Sequence, residues 1–191
     1  MSKTKPIHAI VATDLYGTIG HGSKMPEWVI DDDFKMNFTP KTKEGGICIM
    51  GSITAMSLRG PLPKRFCIAI TTNPETAEHL HEKGFKIAQN PWEALAMAQK
   101  IPEGDTIWNI GGGKLYQWTR ENVIVKELHV TRIQSTYKGE DEIKFCGYPV
   151  DQYTLDPSRS LYFKKRPAGT NGEKDKGNSD DAIVEVYVRE Y

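Results

Sequence analysis

Short apolar runs alternate along this chain with segments that carry helix signals, and this alternation constrains the fold more than any other feature. The runs suited to buried strands cover residues 7–13, 46–50, 66–71, 85–88, 106–110 and 127–133. The clearest helix signal lies at 90–100, where Asn90 can cap, Pro91 suits the first turn and Glu93 completes a capping box. A second helix is predicted at 75–83. Strands that alternate with helices predict an α/β fold with a mostly parallel sheet and helices on both faces.

The C-terminal part of the chain follows a different pattern. Residues 166–181 are polar and rich in glycine and charge, which predicts a long exposed loop. Residues 182–191 then alternate apolar and polar side chains with a period of two, which predicts an antiparallel C-terminal strand on the sheet. Because so little chain follows the polar segment, it cannot separate two domains, and residues 1–191 are predicted to form a single domain.

Charge and cysteine content narrow the functional class. The chain has 25 Lys and Arg residues against 25 Asp and Glu, so no field of one sign attracts nucleic acid or an anionic membrane, and a small-molecule substrate is favoured. Its 3 cysteines are widely spaced and include no CxxC pair, so we expect neither a disulfide framework nor a metal site. The apolar run at 7–13 is too short to span a membrane, and we expect a soluble, cytoplasmic monomer.

A run of three glycines at 111–113 follows the predicted strand at 106–110 and precedes a predicted helix. Backbone N–H groups at a helix N-terminus favour an anionic phosphate, and glycine lets a ligand approach with no Cβ in the way. The alternative is a plain tight turn, because the run matches neither the dinucleotide fingerprint nor the nucleotide P-loop. A second junction of this type, Gly51 followed by Ser52 and Thr54, favours a dinucleotide, because two such junctions on one sheet can hold two phosphates.

Asp33 is a candidate functional acid. It is followed by Phe34 and Phe38, which are spaced to share one helix face. If that face is interior, Asp33 is the carboxylate nearest to desolvation, so its pKa should be raised and it could handle protons or pair with a cationic heterocycle. The other interpretation, a solvated first-turn acid that balances the helix dipole, fits Asp31 and Asp32 better.

Arg65 is a candidate anion-binding residue. The stretch 59–66 contains two prolines, which stiffen an exposed turn and deliver Arg65 to the start of a strand. Arginine is suited to a bidentate grip on a carboxylate, and the alternative is an unpaired surface arginine.

Together these segments resemble the dihydrofolate reductase family. The matching pieces are, in order, IVATD and TIG (10–20), MP with W and a carboxylate (25–33), IMG (49–51), GPLPKR (60–65), IGGGKLY (110–116) and HVTRI (129–133). The resemblance implies an NADPH-dependent reduction of 7,8-dihydrofolate to tetrahydrofolate, with hydride transfer to pterin C6 and protonation at N5, on a roughly eight-stranded sheet. It also implies a place in one-carbon metabolism and nucleotide biosynthesis, and inhibition by antifolates such as methotrexate or trimethoprim.

The resemblance also implies roles for individual residues. Asp33 would hold the pterin ring, Thr131 would support its carboxyl group, and Met25, in a mobile loop, would help to close over the nicotinamide. Arg65 would hold the glutamate α-carboxylate. The substrate would be lined by Ile10, Val11, Ala12, Asp33, Phe34, Phe38, Leu58, Arg65, Ile110 and Thr131. The cofactor would be lined by Ala12, Ile19, Gly20, Gly51, Ser52, Thr54, Thr71, Thr72, Ile110, Gly111, Gly112, Gly113, Lys114, Leu115 and Tyr116.

The sequence departs from the family pattern at several positions. Glu27 is inserted before Trp28, in a proline–tryptophan pair that the family usually keeps adjacent, so the path of the loop is open. Ser52 and Gln89 stand where many NADPH-preferring members carry cations, so the 2′-phosphate would rest on Thr72 and Ser52. Two other functions stay open: a related reductase on the same fold, such as the riboflavin-pathway enzyme that reduces a ribosylamino-pyrimidine, and a non-catalytic folate- or nucleotide-binding protein.

Overall fold

The computed structural model describes residues 4–43, 45–172 and 174–190. Outside the described residues lie the two ends of the predicted domain, one residue of the segment 166–181 and the last residue of the predicted C-terminal strand. The chain forms two compact units, Met1–Ala9 with Lys41–Lys126, and Ile10–Pro40 with Glu127–Tyr191. That the whole chain is a single domain stays a prediction.

The described helices and strands include each predicted strand and four further short strands that were not predicted. In the first half they are β1 (Ile7–Thr13), β2 (Thr18–His21), α1 (Asp31–Asp33), a π-helical turn (Phe34–Phe38), α2 (Thr39–Lys43), β3 (Gly46–Gly51), α3 (Ser52–Ser57), β4 (Phe66–Ile70), α4 (Pro74–Glu82), β5 (Lys86–Ala88) and α5 (Pro91–Gln99). In the second half they are β6 (Thr106–Asn109), α6 (Gly113–Asn122), β7 (Val125–Ile133), β8 (Glu142–Lys144), a 3-10 turn (Val150–Gln152), β9 (Tyr153–Leu155), a second 3-10 turn (Pro157–Arg159), β10 (Leu161–Phe163) and β11 (Ala182–Arg189).

The first unit is built on parallel strands. The beginning of β1 pairs with β6, β6 with β3, β3 with β4 and β4 with β5, all in parallel. The helix predicted at 90–100 is confirmed as α5, since the side chain of Asn90 accepts a hydrogen bond from the Glu93 N–H at 2.9 Å. Apolar side chains of the strands and of α5 and α6 form the core of this unit: Ile47, Ile49, Ile68, Ala88, Ala94, Leu95, Ala98, Ile101, Ile107 and Leu115.

The second unit is built on antiparallel strands. β11 pairs antiparallel with β7, β10 and β9, and β2 pairs antiparallel with β8. The strand order of the main sheet is β10-β11-β7-β1-β6-β3-β4-β5, with β9 also on β11. The predicted mostly parallel, roughly eight-stranded sheet with an antiparallel C-terminal strand is therefore confirmed. The core of this unit contains Ile30, Ile133, Phe163, Ala182, Val184 and Val186.

The prediction that 166–181 is an exposed loop is wrong for the residues that anchor it. Asp175 is only 4% exposed and Asn178 only 2% exposed. The backbone of Asn178 forms isolated β-bridges with Arg166 and with Ile30, just before α1. Polar composition predicts contact with water only when polar groups lack protein partners, and here they find partners in the aspartates of α1. The described residues of the segment 166–178 are called the tail loop below.

None of the described helices is long and apolar enough to cross a membrane.

Candidate active site

Asp33 carries two hydrogen bonds on the same carboxylate oxygen. The Thr131 hydroxyl, on β7, donates to Oδ1 at 2.7 Å, and the Asn37 amide, on the π-helical turn, donates to Oδ1 at 2.9 Å. Thr131 and Asn37 are each 1% exposed, so both donors are out of water. The structure thus brings together the predicted pair Asp33 and Thr131, and adds Asn37, which the sequence analysis missed.

The environment of Asp33 raises its pKa above the ordinary value for an aspartate. Burial is the largest cause, because it disfavours the charged form, and the hydrogen bonds from Asn37 and then Thr131 act in the opposite direction. The predicted direction is confirmed. A carboxyl group of this kind is able to hold or release a proton nearer to neutral pH than a solvated aspartate does.

A cavity of about 290 Å³ lies in front of Asp33, at the small end of the range for ligand sites. Its lining is largely apolar, with two carboxylates from α1 and one lysine. The lining residues are Ala12, Trp28, Val29, Ile30, Asp31, Asp33, Phe34, Ile133 and Lys176. Three of these, Ala12, Asp33 and Phe34, belong to the predicted substrate-binding set. An apolar cavity with a few polar groups suits a flat heterocycle that carries hydrogen-bond donors.

The π-helical turn arranges the aromatic side chains beside the acid. Phe34 and Phe38 stack with ring centroids 5.3 Å apart. Phe34 is 52% exposed, so the helix face that was expected to be interior is open to solvent at Phe34. Asn37 is the member of this turn that is fully buried. π-turns inside helices occur frequently at functional sites, since they insert a residue and turn a different side chain inward.

Asp31 and Asp32 are not the solvated first-turn acids that the sequence analysis expected. Asp31 is 8% exposed and pairs with Lys35 at 2.6 Å. Asp32 pairs with Arg166 at 2.5 Å and accepts a hydrogen bond from the Asn178 side chain at 2.8 Å. The arginine contact is the main reason that the pKa of Asp32 lies below its ordinary value.

The tail loop also reaches the cavity itself. The Lys176 N–H donates to the Asp31 carboxylate at 3.1 Å, and the Asp31 N–H donates to the Gly177 carbonyl at 3.0 Å. These bonds hold Lys176 in the cavity lining. Composition alone gave no signal for this role, because one of two lysines in a charged stretch has no distinguishing pattern.

The two glycine junctions meet in the first unit. The Gly51 N–H, where β3 runs into α3, donates to the Gly111 carbonyl at 2.8 Å, after β6. A Cβ on Gly51 would meet the Gly112 nitrogen at 3.7 Å, and a Cβ on Gly112 would meet the Thr54 hydroxyl oxygen at 3.5 Å. The prediction of two adjacent strand-to-helix junctions is therefore confirmed. They form a backbone cradle next to the N-termini of α3 and α6, where an anionic group is favoured.

Gly111 has a different role from Gly112. Its φ is +100°, and a Cβ there would lie 2.8 Å from the ring of Tyr116, which is 4% exposed. The absence of a side chain at Gly111 thus accommodates the protein's own tyrosine. At this one glycine the tight-turn interpretation applies, whereas the backbone of Gly112 stays accessible to a ligand.

The remaining predicted cofactor residues occupy varied positions. Ser52 and Thr54 lie at the start of α3, Thr71 and Thr72 follow β4, Gly113 and Lys114 begin α6, and Ile110 follows β6, while Ile19 and Gly20 lie on β2. Leu115 is buried in the core of the first unit, so its side chain packs rather than faces a ligand.

The remaining predicted substrate and catalytic residues are also spread over several elements. Ile10 and Val11, on β1, are each 5% exposed. Leu58 follows α3 and belongs, with Ile110 and Arg65, to the first unit. Met25 is 58% exposed, in the segment between β2 and α1.

Comparison with known proteins agrees with this arrangement. Residues 6–156 match the sequence model of the family described as Dihydrofolate reductase. The chain is 27% identical over 135 residues to the dihydrofolate reductase type 8 of Escherichia coli. The match covers 70% of this chain and 78% of that protein. It is 27% identical over 164 residues to the dihydrofolate reductase of Rattus norvegicus, covering 80% of this chain and 85% of that one. A protein of Caenorhabditis elegans named putative dihydrofolate reductase is 25% identical over 188 residues. The match covers 92% of this chain and 89% of that protein.

A solved structure shares the fold. It is a dihydrofolate reductase from Enterococcus faecalis complexed with NADP(H) and RAB-propyl, with a TM-score of 0.75, 23% identity and 97% of each chain covered. Because the family match spans most of the chain, from β1 to β9, the chain belongs to the dihydrofolate reductase family.

Proposed function

We propose that this protein reduces 7,8-dihydrofolate to 5,6,7,8-tetrahydrofolate with NADPH, the reaction of its family. The observation that carries this proposal is Asp33, a carboxyl group with a raised pKa that lines an apolar cavity and is held by Thr131 and Asn37. Such a carboxyl group suits the pterin ring, whose N3 and 2-amino group present donors side by side.

The cradle formed by Gly51, Gly112 and Thr54 fits a cofactor that carries a pyrophosphate. A side chain on Gly112 would fill the space beside Thr54, and the N-termini of α3 and α6 begin at these junctions. When bound there, NADPH would supply the hydride that pterin C6 receives. We assign the pyrophosphate to this cradle and the 2′-phosphate to Ser52 and Thr72, which are the predicted contacts.

The protein's own groups bind, orient and control protons. Asp33 orients the pterin through its carboxyl group, and the proton for N5 arrives by way of water, since the carboxyl group holds the N3 side of the ring. Arg65 is assigned to the glutamate α-carboxylate, and Met25 to closure over the nicotinamide. Closure that excludes water and fixes the reacting groups supplies much of the rate in enzymes of this kind.

One assay separates this function from its two alternatives. Purified protein is mixed with NADPH and dihydrofolate, and nicotinamide absorbance is followed with and without methotrexate. We expect turnover that methotrexate abolishes. Turnover only with a ribosylamino-pyrimidine would favour the riboflavin-pathway reductase, and binding of both ligands without turnover would favour a non-catalytic binding protein. A cytoplasmic location and a monomeric state stay predictions.

A further inference from the structure

Asn37 is a polar side chain that is buried within a helical turn rather than at a helix end, which is unusual. It is 1% exposed and lies within the π-helical turn, one residue before the aromatic ring of Phe38. Burying an amide is costly unless it gains hydrogen bonds that matter to the protein. Its Nδ2 donates to Asp33 at 2.9 Å and reaches the Thr131 hydroxyl oxygen at 3.5 Å.

The amide oxygen of Asn37 makes the free-energy cost of burying this side chain greater. Its Oδ1 is buried and has no hydrogen-bond partner among the described residues. A leucine of similar size would fill the same space without leaving an unpaired acceptor. Packing alone therefore does not account for an amide at this position, whereas its contact with the carboxylate does.

The geometry of the three side chains is specific. Both donors, from Asn37 and from Thr131, bind Oδ1 of Asp33, and neither binds Oδ2. Two donors on one oxygen, from two different elements, fix the rotation of the carboxyl group about its last bond. The other oxygen, Oδ2, is then the atom that Asp33 offers to the cavity that it lines.

We propose that Asn37 is a positioning residue for Asp33: its amide holds Oδ1 so that Oδ2 meets the substrate. The proposal rests on the folate site assigned above. It extends that assignment to a residue on the π-helical turn that is not itself among the residues that line the cavity. A hydrogen bond from Asn37 also stabilises the ionised form of Asp33, so its loss favours the protonated form.

Most of the charged groups on the elements that carry or contact Asp33 have partners of their own. On its own helix, Asp31 pairs with Lys35 and Asp32 with Arg166. On β7, His129 pairs with Glu127 at 3.0 Å. The tail loop adds Asp175, bound to Arg166, and Lys176, in the cavity lining. A substitution of Asn37 leaves all of these groups in place, so a change in the titration of Asp33 would report on the amide.

The test compares Asn37→Leu with Met36→Leu, a control on an exposed side chain of the same turn. The carboxyl titration of Asp33 is measured by carbon NMR of aspartate-labelled protein without ligand, with Asp33→Asn identifying the signal. We expect the titration to move to higher pH in Asn37→Leu and to stay at the wild-type pH in Met36→Leu. An unchanged titration in folded Asn37→Leu would overturn the proposal.

Steady-state kinetics supplies the second readout. We expect the KM for dihydrofolate to rise about tenfold or more in Asn37→Leu, the range for a hydrogen bond to a charged group, with the KM for NADPH unchanged. An equal loss for both substrates at every pH would mean a structural role only. If Asn37→Leu does not fold, Asn37→Ala removes the amide without adding bulk, and the titration of Asp33 must then move to higher pH. Should wild-type protein not reduce dihydrofolate, the proposed function fails, while the ligand-free titration still decides the role of Asn37.

Discussion

At the scale of single residues, the central feature is a half-buried carboxyl group whose pKa the fold raises. Burial raises the pKa of Asp33 more than its hydrogen bonds from Asn37 and Thr131 lower it. A group whose pKa is raised by folding favours the folded state below its unfolded pKa of ~3.9, and this contribution is lost as the pH rises through the folded pKa. Ionised Asp33 is therefore a cost to stability at neutral pH, and the protein retains it for chemistry.

Asp33→Asn should remove that cost. The asparagine oxygen still accepts from Thr131 and Asn37, so we expect the variant to unfold at a higher temperature than wild type at mildly alkaline pH. The gap should narrow as the pH falls through the raised folded pKa of Asp33 and close below ~3.9, where the wild-type carboxyl group becomes protonated in both states. Thermal unfolding followed by circular dichroism across this pH range measures the difference in unfolding temperature, with Asp105→Asn as an exposed control. A variant that unfolds at or below the wild-type temperature at every pH would contradict the assignment.

The sequence indicated Asp33 because an aspartate beside two aromatic residues at helical spacing is a carboxylate near desolvation. Asn37 was not among the predicted site residues, although it lies four residues after Asp33, the spacing that places two side chains on one face of a regular helix. The sequence drew attention to the two phenylalanines instead, and it could not show that a π-helical turn buries this amide while Phe34 stays 52% exposed.

At the scale of elements, the tail loop and the glycine junctions shape the two candidate sites. Arg166 binds both Asp32 and Asp175 and lowers the pKa of each carboxyl group. A lowered pKa adds stability above the unfolded pKa, and this is lost as the pH falls through the folded pKa. The polar composition of 166–181 predicted exposure, because it could not show that these charges pair with the aspartates of α1.

Arg166→Met should destabilise the protein and disturb the acid site. Asp175, only 4% exposed, would keep only the 3.6 Å ion pair with Lys35 among the described residues, and Asp32 would lose its ion pair. We expect a lower unfolding temperature near neutral pH, with a difference that shrinks as the pH falls below ~4 and the carboxyl groups become protonated. Lys174→Met, on an exposed side chain of the same loop, is the control. Equal unfolding temperatures for the two variants would show that the tail loop does not brace α1.

Gly112→Ala should separate cofactor binding from folding. Its φ of −80° suits alanine, and the new Cβ would make an ordinary contact of 3.5 Å with the Thr54 hydroxyl. We expect an unfolding temperature close to wild type without ligand, and an NADPH affinity lower by about tenfold, which corresponds to ~1.4 kcal/mol. Calorimetric titration measures the affinity, and Gly60→Ala, which also makes only an ordinary contact, is the control. Unchanged NADPH affinity in the variant would place the pyrophosphate elsewhere.

At the scale of the whole molecule, the family match covers residues 6–156, and the remainder supplies β10, β11 and the tail loop. The α/β architecture was predictable because buried parallel strands are continuous apolar runs and amphipathic helices have clear caps, as at Asn90. The packing of the tail loop on α1 was not, because it depends on charge pairs between segments far apart in the chain. Lys176 shows the consequence, since a residue outside the family match lines the cavity in front of Asp33.

The most direct test of the central claim is the pH dependence of kcat/KM for dihydrofolate, with NADPH saturating, in wild type and in Asp33→Asn. Wild type should turn over, with activity that declines as the pH rises through the raised pKa of Asp33. Asp33→Asn should lose about 10² to 10⁴-fold at neutral pH and recover partly in acid, where substrate protonated in solution replaces the missing acid. Wild-type turnover that survives unchanged in Asp33→Asn at neutral pH would contradict the assignment of this carboxyl group to the reaction.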